Sequence, residues 1–205
     1  MPQPTISIDS ADLEGRNAYR LLISVVVPRP IAWVSTLGSD GSLNLAPYSF
    51  FNGVSGSPPT VMFSVGQRAG RPKDTLRNIK ETGECVINLV DRALAERMVK
   101  TAGEWEYEVN EFDIAELETA PSELVKTPRV AAAPIAMEAR LLQLVPVPDT
   151  TNTIVLARIL RFHIREGLLL PKGTVDPVGF DPVARLGRAH YTTLGEIMTI
   201  LRPTV

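Results

Sequence analysis

The sequence predicts a mainly-β domain of the α+β kind, a barrel with a few covering helices, on three observations. Short apolar runs punctuated by Gly, Pro, Asn, Asp and Ser recur along most of the chain, the pattern of many short strands. Helical periodicity surfaces in only two or three places, and these are not interleaved with the strands as a doubly wound sheet requires. The glycine fingerprint G-x-G-x-x-G, which would open a dinucleotide-binding unit, is absent.

The elements follow in order. Asp12 to Ile23 reads as a short helix, with Asp12 or Ser10 as its cap and Pro28 beyond its end. Pro30 to Leu37 reads as a strand, and Gly38-Ser39-Asp40-Gly41 as a hairpin turn returning through Ser42 to Leu45. Ser49 to Ser55 and Thr60 to Gly66 are further strands, parted by Ser57-Pro58-Pro59. A helix follows Pro72 through Leu76, Ile79 and Lys80, with Gly83 suited to end it. Glu84 to Val90 is a strand and Arg92 to Lys100 a helix. Thr101 to Val130 is acidic and weakly periodic, an excursion with one short helix. Ile135 to Val145 and Thr153 to Ile164 close the pattern as long strands. The second alternates poorly, so a bulge is expected in it.

Composition sets bounds. With 205 residues, 44% hydrophobic and 21% charged, the chain is expected to form one globular domain over residues 1–205. A formal net charge of −2 argues against a general nucleic-acid binder. No apolar run approaches a membrane span and no secretory signal is visible, so no membrane partner and a cytoplasmic location are expected. A lone cysteine, Cys85, fits a reducing compartment. It lies in an apolar strand, where a thiol is usually inert packing. Two histidines, His163 and His190, are too few for a metal site, and none is expected.

Three segments carry candidate chemistry. Gln67 to Arg77 gathers Arg68, Arg71, Lys73 and Arg77 in an acidic protein. Pro72 suits a helix start, so Lys73, Asp74 and Thr75 would offer free backbone N–H groups, a positive dipole end and a hydroxyl. That suits a phosphate; a solvated helix start capped by Asp74 or Thr75 fits equally well. Asn44 to Asn52 could hold a heterocycle through Asn44, Ser49 and Asn52, with Tyr48, Phe50 and Phe51 shaping a slot. An edge strand with aromatic core residues explains the same string. Arg29 to Thr36 ends in two hydroxyls, Ser35 and Thr36, which are also common strand residues.

In this order the segments resemble a known family. The strings RPIAWVST, NLAPYSFFN, SPPTVMFSV, KDTLRNI, ETGECVINLV and ARLGRAHY run from Arg29 to Tyr191. They are similar to those of the flavin reductase-like, FMN-binding split-barrel family, in particular its flavoredoxin-like branch. The resemblance implies a split β-barrel that forms a homodimer, with FMN near the dimer interface. It implies that Lys73, Thr75 and Arg68, with the Asp74 region, face the FMN phosphate. Ser35, Thr36, Asn52 and the stretch Ala46, Pro47, Tyr48 and Ser49 would contact the ring and ribityl chain. The implied activity is hydride transfer from NADH or NADPH to flavin, with electrons passing to an acceptor or an oxygenase partner. No acid–base pair is required, because the cofactor carries the chemistry. His190, in the last string, is the one titratable candidate to touch flavin or nicotinamide. Arg188 departs from the pattern, which has a second glycine after Gly187. The alternative function is a flavin-binding electron carrier without nicotinamide turnover. The run Glu104 to Glu118, with Trp105, Tyr107 and Phe112, reads as a lid, a partner surface or a solvated loop.

Overall fold

In the computed structural model, which describes residues 3–203, seven antiparallel strands form one sheet. They are β1 (Ala32–Leu37), β2 (Leu43–Tyr48), β3 (Phe51–Gly56), β4 (Pro59–Val65), β5 (Glu84–Leu89), β6 (Ile135–Pro146) and β7 (Thr153–Ile164). Their order across the sheet is β2-β1-β5-β6-β7-β4-β3. Side chains alternate across a strand, so Val34, Phe63, Ile87, Met137, Ala139 and Val155 all reach one interior. The edge strands β2 and β3 are consecutive in sequence, and β2 meets β4 across the barrel. The Tyr48 ring of β2 lies 5.6 Å from the Phe63 ring of β4, and the Ser64 N–H of β4 donates to the carbonyl of Phe50 in the β2–β3 connection at 2.9 Å. The result is the expected mainly-β barrel.

Helices cover its end and outside. They are α1 (Gly15–Val25), α2 (Asp74–Thr82), α3 (Ala95–Lys100) and the one-turn α4 (Glu111–Ile114) and α5 (Pro177–Phe180). Leu76 and Ile79 of α2 enter the barrel core. Gly83 ends this helix at φ 71°, its N–H returning to the Ile79 carbonyl, a conformation glycine adopts without strain. A second apolar layer forms outside β1, where Trp33, Met98, Phe112 and Val130 pack together. The indole Nε1 of Trp33 donates to Thr101 Oγ1 at 2.9 Å, pinning the start of the excursion.

The excursion is therefore largely a packed layer. Phe112 and Ala115 are buried, while Glu104, Glu106 and Glu108 stay exposed. Its later part is fastened by Glu138, whose carboxylate accepts from the N–H groups of Glu123, Leu124 and Val125 and meets His163 Nε2 at 2.6 Å. The first helix starts later than its sequence suggests. A 3₁₀ turn at Ser10–Asp12 is capped by Asp9, neither Ser10 nor Asp12 acting as a cap, and α1 begins at Gly15. Asp9 takes that role because its carboxylate reaches the Ala11 N–H at 2.9 Å. The bulge expected in β7 falls at Leu160, where Glu138 pairs with Arg161 but Ala139 pairs with Ile159. It shifts the phase, so Val155 and Ala157 face inward before it and Ile164 after it.

Candidate functional site

Two open clefts meet at one wall. The first, about 700 Å³, lies between α1 and the β2–β3 connection and is lined by Leu22, Val25, Ser49 and Phe50. The second, about 860 Å³, lies between the 67–77 segment and residues 101–111. Pro47, Tyr48 and Lys73 line both. Lys73 thus stands at the junction, its Nζ 5.9 Å from the centroid of the Tyr48 ring.

The wall is fixed from beneath by a polar belt at the barrel mouth. Thr36 and Asn44 are a cross-strand pair on the inner faces of β1 and β2. Asn44 Nδ2 donates to Thr36 Oγ1 at 3.2 Å and to Thr75 Oγ1 at 2.8 Å, and Asn78 Nδ2 donates to Thr36 Oγ1 at 3.2 Å. The Tyr48 hydroxyl donates to Thr75 Oγ1 at 2.9 Å. Burial pushes this phenol above its ordinary range, so it stays a neutral donor. Thr75 accepts both bonds with its lone pairs, leaving its own hydrogen to donate. Lys73 caps α2 by position but makes no side-chain bond to the first turn. Neither Asp74 nor Thr75 is the cap; the Leu76 N–H donates to the Lys73 carbonyl at 2.9 Å, while the N–H groups of Asp74 and Thr75 precede the first intrahelical bond.

The basic residues divide. Arg68 bonds the Trp105 carbonyl and pairs with Glu106 at 3.1 Å. Arg77 lies over the Tyr107 ring at 3.2 Å, with Asp74 at 3.4 Å, and its buried Nη2 has no hydrogen-bond partner. Tyr107 is held in turn by Ser42 and by Asp40, whose carboxyl the Ser42 hydroxyl, the Ser42 N–H and the Tyr107 hydroxyl keep down at about 2. Arg71 and Lys73 are exposed. Glu111 closes the floor of the second cleft. Its Oε2 accepts from the Leu45 N–H at 3.0 Å, and burial, with Asp74 adding to it, pushes its carboxyl up to about 7.

Of the residues singled out in the sequence, Arg68, Lys73, Asp74, Thr75, Ala46, Pro47 and Tyr48 line the second cleft, and Ser49 lines the first. Four are elsewhere. Ser35 is on the outer face of β1, donating to the Pro128 carbonyl at 2.7 Å. Thr36 is buried in the belt and lines neither cleft. Period two put these neighbours on opposite faces, a signal already present in the sequence. Asn52 is exposed on β3, its Oδ1 taken by the Gly53 N–H at 2.8 Å. His190 is exposed in the turn 186–190, bonded through its backbone to Gly187 and Leu186. Arg188 in that turn has φ 56°, a left-handed conformation in which glycine would be unstrained. Cys85 is buried, which pushes its thiol up to about 12. No group of three potential metal ligands occurs among the described residues, and none of their helices is long and apolar enough to cross a membrane.

Sequence reasoning missed two residues. Glu111 lies in a stretch whose burial comes from distant strands. Arg29 is 5% exposed and donates to the carbonyls of Ile23, Val26 and Leu186 at 2.6–2.8 Å. Its Nε reaches Ser49 Oγ at 3.4 Å, tying α1, the 186–190 turn and the wall of the first cleft together.

Comparison with known proteins fits this architecture. The profile of the flavin reductase-like domain family matches residues 24–179. The crystal structure of nitrilotriacetate monooxygenase component B from Bacillus cereus superposes with a TM-score of 0.93 at 33% identity, covering 97% of this chain and 100% of that one. The 2-nitrobenzoate 2-nitroreductase NbaA of Pseudomonas fluorescens gives 0.89 at 33% identity, covering 97% of each chain. The flavoredoxin of Desulfovibrio vulgaris shares the fold, with a TM-score of 0.74 at 24% identity, covering 85% of this chain and 91% of that one.

Proposed function

We propose that this chain, which belongs to the flavin reductase-like family, is an oxidoreductase that binds FMN where its two clefts meet and takes hydride from NADH or NADPH. The observation that carries this reading is the position of Lys73 at the junction, beside an uncapped helix start and the free hydrogen of Thr75. An ammonium, a hydroxyl donor and first-turn N–H groups converging on one corner suit a phosphate. The residues present therefore fit the group, with Lys73, Thr75 and the Asp74 backbone as its phosphate holders. When bound, FMN supplies the two-electron hydride chemistry.

The chain's own contribution is positional. The stretch from Ala46 to Ser49 leads from the phosphate corner into the first cleft, and Arg29 holds the Ser49 hydroxyl in place. Leu22, Val25 and Phe50 make that cleft apolar and would keep water from a planar heterocycle. Tyr19, Leu22 and Val25 of α1 are 56%, 49% and 65% exposed, an apolar face that fits a second copy of the chain. The Bacillus cereus relative is a monooxygenase component by name, and an oxygenase partner is the electron acceptor we favour here.

Lys73→Ala tests the assignment. A charge-assisted hydrogen bond is worth about 1.5–3 kcal/mol, and exposure of Lys73 sets the effect at the lower end. FMN affinity, followed by quenching of flavin fluorescence, should fall roughly tenfold. Riboflavin, without the phosphate, should bind variant and parent alike. Equal FMN binding by both would refute the phosphate assignment. If NADH and NADPH both fail to bleach the FMN-loaded protein without oxygen, the activity reduces to electron carriage.

A further inference from the structure

We infer that residues 194–203 form an arm that packs on a second copy of the chain, across α1 and the mouth of the first cleft, so that each cleft is completed by the other copy's arm. That the cleft so closed is a flavin site rests on the FMN reading proposed above. The segment carries Leu194, Ile197, Met198, Ile200 and Leu201 against two charges, Glu196 and Arg202. The last four of these apolar side chains are 53–85% exposed, and the segment makes no hydrogen bond to any described residue. An apolar segment that stands off its own chain leaves hydrophobic surface in water, and a cover lowers its free energy. Leu194, Ile197, Met198 and Leu201 stand at i, i+3, i+4 and i+7, the spacing of a segment that docks by one face.

Where the arm starts points to α1 of a second copy. Tyr191–Thr192 pairs with Ala184–Arg185, which pairs with Arg29–Pro30, so the arm leaves two strand spacings, about 10 Å, from the residues that follow α1. Arg92 fixes the exit, its Nη2 donating to Thr193 Oγ1 at 2.6 Å and its Nε to Asp181 Oδ2 at 2.8 Å. Ten extended residues reach roughly 33 Å, enough to cross the helix of a copy related by a two-fold axis beside α1. Tyr19, Leu22 and Val25 are both exposed and part of the first cleft's lining, so a segment packed on them also covers its mouth. Charge agrees with this placement. Arg16 and Arg20 stand one turn apart on α1, exposed and in no ion pair with any described residue, and Glu196 of the arm is exposed and likewise unpaired. A carboxylate set beside two like charges one turn apart relieves their repulsion. Given and received reciprocally, the arm and the eleven residues of α1 supply about the 20–30 residues a side that a stable interface uses.

The test is photo-cross-linking in the full chain. Met198→p-benzoylphenylalanine, irradiated at micromolar concentration, should give a covalent product of twice the chain mass, with residue 198 joined to peptides from residues 13–27. Attachment within one chain, attachment to another surface, or no covalent dimer would overturn the inference and leave the FMN reading standing. Ile197→Glu and Leu201→Glu should each weaken association of the two copies roughly tenfold in the ultracentrifuge, since each removes one buried apolar side chain. As the arm bonds to nothing in its own barrel, both variants should keep the parent's circular dichroism. They should also bind FMN and riboflavin more weakly by an equal factor, roughly threefold to tenfold, because the arm lies over the ring and away from the phosphate. Lys73→Ala, by contrast, should affect FMN alone. Flavin binding unchanged in both arm variants would remove the arm from the cleft and overturn the inference. A parent that cross-links as expected but binds neither flavin would sink the FMN reading and leave the arm seated on α1.

Discussion

Replacing Arg29 by methionine probes how the first cleft is held. Methionine keeps the length of the side chain and removes every donor. The Ile23 carbonyl, whose bond from Arg29 is buried, loses its partner outright, while those of Val26 and Leu186 are part-buried and can recover water. A buried carbonyl left without its donor costs about 1–3 kcal/mol, and the two wetter ones less. Two of the three carbonyls lie at the end of α1, where a cation also meets the negative end of the helix dipole. Relief of the guanidinium's own desolvation offsets part of the loss.

The net destabilisation should be about 2–4 kcal/mol, which for a chain of this length lowers Tm by roughly 5–15 °C. Thermal melts at fixed protein concentration, with hydrogen exchange on residues 20–27 and 186–190, read both the size and the place of the effect. Arg29→Lys should recover only part of it, because one ammonium cannot span three carbonyls and Ser49. A Tm within about 2 °C of the parent, or loosening spread evenly over the barrel, would refute the view that Arg29 clamps these elements together.

Glu111→Gln should change the pH dependence of stability. The folded carboxyl is raised from 4.5 to about 7, so its contribution is full below the unfolded value and is lost as pH rises through the folded one. Urea unfolding between pH 5 and 8 should show the parent losing stability relative to the variant as pH rises, since glutamine never charges; a constant difference would contradict the assignment. The apolar face of α1 predicts a homodimer, read as twice the chain mass by light scattering at micromolar concentration, and Val25→Glu should shift that mass toward the monomer.

Much of the barrel was legible because its strands obey simple rules. Gly41 at φ 88° makes the turn that the Gly38-Ser39-Asp40-Gly41 string suggests, and Pro72 and Gly83 bracket α2 as written. That Lys73, Asp74 and Thr75 share one helix start was legible for the same reason, since they are neighbours in sequence. The rest depends on residues far apart. Nothing around Phe112 reveals that Trp33 and Met98 cover it, because β1 is apolar on both faces and only the fold decides what covers each. Arg29 reads as an ordinary charge beside Pro30, since its partners are backbone carbonyls that leave no mark in composition. Ser35 and Asn52 line neither cleft, and their side chains bond backbone groups of Pro128 and Gly53, partners that composition does not reveal.

The belt beneath Lys73 gives the corner proposed for the phosphate a fixed floor. On β1 the inward positions run Ala32, Val34, Thr36, and on β2 they run Tyr48, Ala46, Asn44, so the lining turns polar where Thr36 pairs with Asn44. α2 is seated on that ring by Leu76 and Ile79 in the core and by Thr75 and Asn78 in the belt. Its first turn is thus placed by core packing, and Thr75 is already oriented by two donors. A ligand arriving there orders only the exposed ends of Lys73 and Arg71, so most of the conformational entropy of the site has been spent in folding. Asn78 Oδ1 is buried with no hydrogen-bond partner among the described residues. If the phosphate sits here as proposed, Asn44→Ala should weaken FMN binding in a fluorescence-quenching titration although Asn44 would act only through Thr75, and unchanged FMN binding would refute that role of the belt.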